Sequence, residues 1–298
     1  METSTVSRRA PGFSNHEGVE IIVAPNAGAC FGVVRAIRLG ERAVEGSARV
    51  WSLGPLIHNP QVVSRLEARG VRTVQTASEI SEGVVLLRSH GIPREDERAA
   101  RDRGLKIVDA TCPLVKKPQR IAAGLGASGR FLVLVGDPNH PEVRGVLSYF
   151  ARPDFLVTYD PKDIDRIPAD VQRVGVLAQT TIEYPVLEAI EARCRERFSD
   201  VTVHNTICDA TSVRQSEAAD LSASADVMIV VGGRNSSNTK KLEKICLSRD
   251  VVTHLVEEIE ELRPEWFVGK RRIGVTGGAS TPQDYVDRVG DRIADMVR

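Results

Sequence analysis

Short apolar runs recur along the chain, separated by stretches of mixed polarity. Runs of four to eight residues that are rich in Val and Ile and lack polar alternation are typical of strands buried on both faces. Twelve strands are predicted, over 21–24, 50–54, 72–75, 84–88, 106–109, 131–135, 155–159, 174–178, 201–204, 227–231, 251–256 and 273–276. Most gaps hold helical patterns, such as 185–198. This alternation predicts an α/β protein with parallel sheets.

The predicted strands fall into three groups of four that resemble one another. The first strand of each group leads to a cysteine, and these are Cys30, Cys112 and Cys208. An equivalent polar position follows each cysteine 28 residues later, at His58, His140 and Ser236. A repeat of this kind predicts three similar α/β lobes with mainly parallel four-stranded sheets. We place an N-terminal extension at 1–18, expected to be flexible, and the lobes at 19–104, 105–198 and 199–298.

The strand ends carry the polar loops. Ligands of open parallel sheets bind beyond the carboxyl ends of the strands. Each lobe offers three such loops, whose sequences include PLIHN, SHG, DPNHPE, QTT, GRNSSN and GGAST. Lobes whose loops face one another would surround a single central site.

The three repeat cysteines differ from Cys194 and Cys246, which lie in predicted helices and are expected to be core residues. Helix-start patterns follow each of the three, and a helix N-terminus stabilises a thiolate that binds metal. Structural zinc usually takes four ligands from closely spaced pairs, and no CxxC is present. Three cysteines suit a cubane iron–sulfur cluster with one open iron. A zinc-dependent hydrolase that uses His140 and Glu142 is the metal alternative.

Composition excludes several classes of protein. Forty basic and forty acidic side chains balance, and aromatic residues make up 4% of the chain, so a general nucleic-acid binder is not expected. The apolar runs are too short to cross a bilayer. Five cysteines at irregular spacing indicate a reducing compartment. Residues 1–18 lack the apolar stretch of a secretory signal, which predicts a cytoplasmic protein.

Nine segments together resemble the 4-hydroxy-3-methylbut-2-enyl diphosphate reductase family, also called LytB or IspH. They are AGACFGVVRAI, IHNPQVV, SHGIP, DATCPLV, GDPNHPEVRG, AQTT, ICDATSVRQ, VVGGRNSSNTKKL and GVTGGASTP. The resemblance runs from about Val19 to the C-terminus. It implies a trefoil of three lobes around a [4Fe-4S] cluster held by Cys30, Cys112 and Cys208. It further implies an oxidoreductase that removes an allylic hydroxyl group in the last step of the methylerythritol phosphate route to isoprenoids, with a ferredoxin or flavodoxin as electron donor.

The resemblance also implies roles for individual residues. Diphosphate contacts are expected from His58, His90, Ser236, Ser237, Asn238 and Ser280. His140, Glu142 and Thr180 are expected around the hydroxyl group and the open iron, where they would bind substrate and take part in catalysis. Departures from the family pattern lie beside these positions, at Asn26–Ala27, Ala29, Arg144 and Val213. They bear on cluster shielding, donor docking or rate more than on reaction type.

The residues themselves are suited to this chemistry. No GxxxxGK[ST] motif is present, but histidines, hydroxyls and backbone N–H groups can hold a diphosphate, and protonated histidines would strengthen those bonds. Glu142 is the expected proton source for release of the hydroxyl group, with Thr180 orienting the proton. The residues also have ordinary alternatives, since Glu142 could be a surface carboxylate and Ser236 a helix cap. A non-catalytic iron–sulfur sensor is a further alternative.

Overall fold

The computed structural model describes residues 12–16, 18–47 and 49–298. Its strands are β1 (Gly12–His16), β2 (Val19–Val23), β3 (Val50–Leu53), β4 (Val71–Val74), β5 (Val84–Leu87), β6 (Lys106–Asp109), β7 (Phe131–Val135), β8 (Phe155–Thr158), β9 (Arg173–Ala178), β10 (Asp200–His204), β11 (Val227–Val231), β12 (Val252–Val256) and β13 (Arg272–Gly277). Its α-helices are α1 (Phe31–Gly46), α2 (Pro60–Ala68), α3 (Arg94–Asp102), α4 (Pro113–Ala127), α5 (Pro141–Phe150), α6 (Tyr184–Arg197), α7 (Asp209–Ser222), α8 (Ser237–Leu247) and α9 (Gln283–Met296). Short 3₁₀ helices occupy Ala77–Glu79, Pro161–Arg166, Ile259–Glu261 and Pro264–Trp266.

The strands form three separate sheets. Their orders are β4-β3-β5-β6, β10-β9-β7-β8 and β1-β2-β13-β11-β12. Among the described strands, every pairing is parallel except that of β1 with β2. All twelve predicted strands are present within one or two residues of their predicted bounds. The predicted fold class, three α/β lobes with mainly parallel four-stranded sheets, is confirmed, and β1 adds a fifth, antiparallel strand to one of the sheets.

The membership of the sheets is shifted by one strand from the grouping along the sequence. The first strand of each predicted group pairs with strands of another group, since β6 pairs with β5, β10 with β9, and β2 with β13. An apolar run predicts a strand buried on both faces, but it carries no information on which neighbour the strand pairs with. The lobe boundaries at 19, 105 and 199 stay a prediction.

The core of each sheet lies on both of its faces. In β11, Val227, Ile229 and Val231 pack in one apolar cluster that includes residues of α9, while Met228 and Val230 pack in a second cluster with Leu242 and Cys246 of α8. All five residues of β11 are fully buried. Burial of each such side chain stabilises the fold by roughly 1.5–3 kcal/mol. The strand therefore has no solvent-facing side, which explains its unbroken apolar sequence.

The chain divides into two compact units. One comprises Met1–Cys30, His58–Pro60 and Asp209–Arg298, and the other comprises Phe31–Ile57 and Gln61–Cys208. The first contains the sheet of β11, and the second contains the other two sheets. Most of the predicted extension, 1–18, lies outside the described residues. Within it, β1 is a strand that the apolar pattern did not predict, and it pairs with β2.

No helix within the described ranges is long and apolar enough to span a membrane.

Candidate active site

Each of the three repeat cysteines lies immediately before a helix. Cys30 precedes α1, Cys112 precedes α4 and Cys208 precedes α7. Pro113 occupies the first position of α4, where the missing N–H of proline costs nothing. Each cysteine residue therefore lies at the N-terminus of a helix, where the unpaired backbone N–H groups favour negatively charged groups.

The cysteines also share one backbone hydrogen bond. The N–H of Cys30 donates to the carbonyl of Ala279 at 3.0 Å, that of Cys112 to Ser89 at 3.0 Å, and that of Cys208 to Thr180 at 2.9 Å. Each acceptor lies in the loop after an interior strand of a sheet. Ala279 follows β13 in the GAS segment, Ser89 follows β5 in SHG, and Thr180 follows β9 in QTT. The repeat seen in the sequence is thus present in the hydrogen bonding. Each cysteine bonds a loop of another predicted group of four strands, as the first strand of each group pairs with a strand of another group.

The exposure of the thiols separates the trio from the other two cysteines. Cys30, Cys112 and Cys208 are half-buried and none forms a disulfide, whereas Cys194 and Cys246 are fully buried. Burial raises the pKa of Cys194 to about 11 and that of Cys246 to about 12, so both are protonated core residues, as predicted. Three accessible thiols at helix starts are a donor set that fits an iron–sulfur cluster.

The position of the metal ligands stays a prediction. Cys30 belongs to one compact unit, and Cys112 and Cys208 belong to the other. Within the part of the chain that the structure describes, no three His, Cys, Asp or Glu side chains form a group that could hold a metal ion. The observations that favour these thiols as ligands are their accessibility and their positions directly before helices.

Glu142 and Thr180 form a buried, hydrogen-bonded pair in the second unit. The carboxyl group accepts from the Thr180 backbone N–H at 2.7 Å through Oε1, and Oε2 lies 2.7 Å from the Thr180 hydroxyl, which donates to it. Both side chains are buried, with 2% of Glu142 exposed. The alternative of a surface carboxylate at Glu142 is therefore wrong. The sequence placed these residues in two loops, and the fold brings them into direct contact.

The surroundings of Glu142 change its acidity. Burial raises the pKa of its carboxyl group to about 7, although the two hydrogen bonds from Thr180 act in the opposite direction. Removal of water from a carboxylate is unfavourable unless a cation compensates for it. At neutral pH the group is accordingly poised between its acid and base forms, as a proton donor requires.

His140 caps the helix that carries Glu142. Its Nδ1 accepts from the Glu142 backbone N–H at 3.1 Å, so Nε2 carries the proton of the neutral ring. Burial lowers the pKa of His140 to about 4, with Asp137 opposing the shift and Arg88 adding to it. At neutral pH the ring is therefore uncharged, and His140 is a hydrogen-bond donor through Nε2. The ring of His90 lies edge-on to it, with centroids 5.9 Å apart.

The first unit holds the remaining candidate diphosphate contacts. Ser236 caps α8 and accepts from the Thr239 N–H, as expected for a helix cap. Asn238 is 3% exposed, and among the described residues neither its Oδ1 nor its Nδ2 has a hydrogen-bond partner. The hydroxyl of Ser280 donates to the carbonyl of His58 at 3.0 Å. Ser237 is half-buried in the first turn of α8.

A buried amide without partners is unfavourable in the folded protein. An unsatisfied buried polar group costs about 1–3 kcal/mol. Helix α8 begins at Ser237, so the amide lies beside backbone N–H groups that favour an anion. The arrangement suits a ligand rich in acceptor oxygens.

Two further residues were missed by the sequence reasoning. Arg214 is 5% exposed and bonds two backbone carbonyls, and Glu217 accepts from Asn26. In the sequence, only the departure from the family pattern at Asn26 pointed to this contact, because Asn26 is the residue that donates to Glu217 on α7. Of the other departures, Ala29 and Val213 are half-buried and Arg144 is exposed.

Comparison with known families gives one match across most of the chain. The LytB protein family model matches residues 21–294. The 4-hydroxy-3-methylbut-2-enyl diphosphate reductase of Syntrophotalea carbinolica is 45% identical over 278 residues, covering 93% of this chain and 99% of the relative. That of Geobacter metallireducens is 43% identical over 278 residues, covering 93% and 98%.

Solved structures show the same likeness. One is described as (E)-4-hydroxy-3-methyl-but-2-enyl diphosphate reductase, the terminal enzyme of the non-mevalonate pathway. It is 43% identical with a TM-score of 0.69, and the match covers 92% of this chain and 99% of that one. The E-1-hydroxy-2-methyl-but-2-enyl-4-diphosphate reductase from Plasmodium falciparum is 25% identical with a TM-score of 0.84, covering 91% and 86%.

Proposed function

The chain belongs to the LytB family, as its motifs predicted, and we propose that it removes the allylic hydroxyl group of 4-hydroxy-3-methylbut-2-enyl diphosphate by reduction. The products are isopentenyl and dimethylallyl diphosphates, and the chain is an oxidoreductase of the methylerythritol phosphate route. The residues that carry out this reaction are inferred from the contacts described above.

The reaction defines what the protein must supply. Cleavage of the C–O bond releases the oxygen as water, and a hydrogen replaces it on the carbon skeleton, so the balance requires two electrons and two protons. Hydroxide is a poor leaving group, and a positioned acid contributes on the order of 10²–10⁴ in rate. The site therefore needs a protonated group near neutral pH, out of bulk water.

The pairing of Glu142 with Thr180 is the observation that carries the proposal. A carboxyl group that is 2% exposed, with a pKa of about 7, keeps a substantial protonated fraction at neutral pH. Thr180 contacts both oxygens, which fixes the plane of the carboxyl group. Glu142 donates the proton to the leaving oxygen, and Thr180 orients it. His140, a neutral donor through Nε2, supports the same hydroxyl group.

The diphosphate is bound by histidine, hydroxyl and amide side chains. The contacts assigned to it are His58, His90, Ser236, Ser237, Asn238 and Ser280, while His140 and Thr180 bind the substrate at its hydroxyl group. The unsatisfied amide of Asn238 supports this assignment, because a phosphate oxygen would accept a hydrogen bond from its Nδ2. The start of α8 adds backbone N–H groups, which explains how a chain with zero net charge can bind an anion.

Cys30, Cys112 and Cys208 are assigned as the ligands of a [4Fe-4S] cluster with one open iron. When bound, such a cluster supplies electrons and a Lewis acid. The half-buried thiols at helix starts support the assignment. A ferredoxin or flavodoxin is proposed as electron donor, and the cytoplasm as location, since accessible thiols that form no disulfide are typical of a reducing compartment.

Anaerobic purification with metal analysis tests this function. We expect brown protein with roughly four iron atoms per chain, and reductant-dependent turnover of the allylic diphosphate. A Glu142→Gln variant should keep the iron and lose turnover by on the order of 10²-fold or more. Glu188→Gln, at an exposed position of α6, is the matched control and should retain full activity.

The alternatives give different results in the same experiment. A zinc-dependent hydrolase would contain zinc without iron and would act without reductant. A non-catalytic sensor would bind the cluster but leave the diphosphate unchanged. Near-normal turnover in Glu142→Gln would remove this residue from the role of acid.

A further inference from the structure

The loop that leads into Cys30 is tied to helix α7 at two points. The first point is Asn26, whose backbone N–H donates to Glu217 Oε2 at 3.0 Å and whose Nδ2 donates to Oε1 at 2.6 Å. Both carboxyl oxygens of Glu217 are thus directed at one residue of the loop. Charge-assisted hydrogen bonds of this kind are stronger than neutral ones.

Arg214 provides the second point. Its Nη2 donates to the carbonyl of Gly28 at 2.5 Å, and its Nη1 donates to the carbonyl of Ala210 at 2.7 Å. Gly28 lies two residues before Cys30, and Ala210 lies two residues after Cys208. The side chain of Arg214 is 5% exposed, so its planar guanidinium group is held in a buried position.

The opposite side of the loop is closely packed. A Cβ atom added at Gly277 would lie 2.0 Å from the carbonyl oxygen of Ala27, so β13 allows this approach only through its glycine. The N–H of Cys30 donates to Ala279 just beyond the same strand. The loop therefore lies between the end of β13 and the side chains of α7.

We propose that Arg214 is a positioning residue for the cluster ligand Cys30, acting through the carbonyl of Gly28, with Glu217 as the second contact. The inference rests on the proposed function, because it takes Cys30 to be a ligand. A guanidinium group is suited to this task, since one rigid, permanently charged group donates to two carbonyls at once. Residues that orient ligands typically contribute 10- to 100-fold to metal affinity or activity.

The experiment compares Arg214→Gln and Arg214→Lys with the wild-type chain. Hydrogen exchange of the cluster-free protein is followed for residues 24–31, and loss of the cluster absorbance in air is followed after anaerobic reconstitution. For Arg214→Gln we expect faster exchange in this segment and on the order of 10-fold faster cluster loss. Arg214→Lys, which can donate to one carbonyl, should fall between the two.

Arg130→Gln is the matched control, since Arg130 also bonds backbone carbonyls, of Val174 and Asp200, in a largely buried position. It should lower the melting temperature without changing the hydrogen exchange of residues 24–31 or the lifetime of the cluster.

Wild-type values of both exchange and cluster lifetime in Arg214→Gln would overturn the inference. If Arg214→Gln does not fold, Arg214→Lys decides, and wild-type values in it count against the inference. A wild-type chain that binds no iron would instead overturn the proposed function.

Discussion

Thr180 contacts both carboxyl oxygens of Glu142, one through its backbone N–H and the other through its hydroxyl, at 2.7 Å each. The carbonyl of the same residue accepts from the N–H of Cys208. Thr180 thereby holds the buried carboxyl group of Glu142 and also the backbone of Cys208, a proposed cluster ligand. Changes at Thr180 should accordingly alter the acidity of Glu142.

Replacement of Thr180 by Val should raise the pKa of Glu142, because the hydroxyl bond lowers that pKa at present. The acid form would then persist to higher pH. We expect the fall of kcat/KM on the alkaline side to move to higher pH in Thr180→Val, and turnover at the optimum to decrease. Thr180→Ser retains the hydroxyl and is the control. An alkaline limb at the wild-type pH in Thr180→Val would show that Glu142 is not the group that titrates.

The raised pKa of Glu142 should make the unfolding free energy depend on pH. The folded group has a pKa of about 7 against a usual value of 4.5, so between these values the folded state binds more protons than the unfolded state. The contribution is fully present below pH 4.5 and is lost as the pH rises through 7, by about 3 kcal/mol in total. Urea unfolding of cluster-free wild type and Glu142→Gln at several pH values measures this difference. Parallel curves for the two proteins would refute it.

His140 should produce the opposite trend. Its folded pKa of about 4 lies below the usual 6.5, so its contribution is present above pH 6.5 and is lost as the pH falls toward 4, by about 3 kcal/mol. His140→Asn keeps a good helix cap and removes the titration. In acid, wild type should therefore lose stability relative to His140→Asn. A constant difference between pH 4 and 7 would contradict the burial argument.

Replacement of Asn238 by Leu should stabilise the free protein and weaken substrate binding. Leu has nearly the shape of Asn and removes two buried polar atoms without partners, which should raise the unfolding free energy by about 1–3 kcal/mol. Loss of hydrogen bonds to a charged ligand should raise KM by on the order of 10- to 100-fold. Urea unfolding and steady-state kinetics measure the two effects. Asn235→Ala, at an exposed position of the same loop, is the control. Unchanged KM in Asn238→Leu would remove this residue from the diphosphate contacts.

Much of the fold could be predicted from the sequence because its signals are local. An apolar run such as 227–231 is long enough and rich enough in Val to predict a strand buried on both faces, and all twelve predicted strands are present. Pro113 predicted a helix start directly after Cys112, and α4 begins there. The equal spacing from Cys30, Cys112 and Cys208 to the next polar loop identified the repeat, and the shared hydrogen bonds of the three cysteines express it.

The tertiary structure alone decided how these pieces combine. The apolar sequence of a parallel strand does not specify which strand it pairs with, so the pairing of β6 with β5 could not be predicted from the sequence. The pKa values of Glu142 and His140 depend on burial by residues distant in sequence, which no motif encodes. The contacts of Arg214 with Gly28, 186 residues away, likewise exist only once the chain has folded. The sequence determined which residues are available for chemistry, and the packing around them determined their protonation and position.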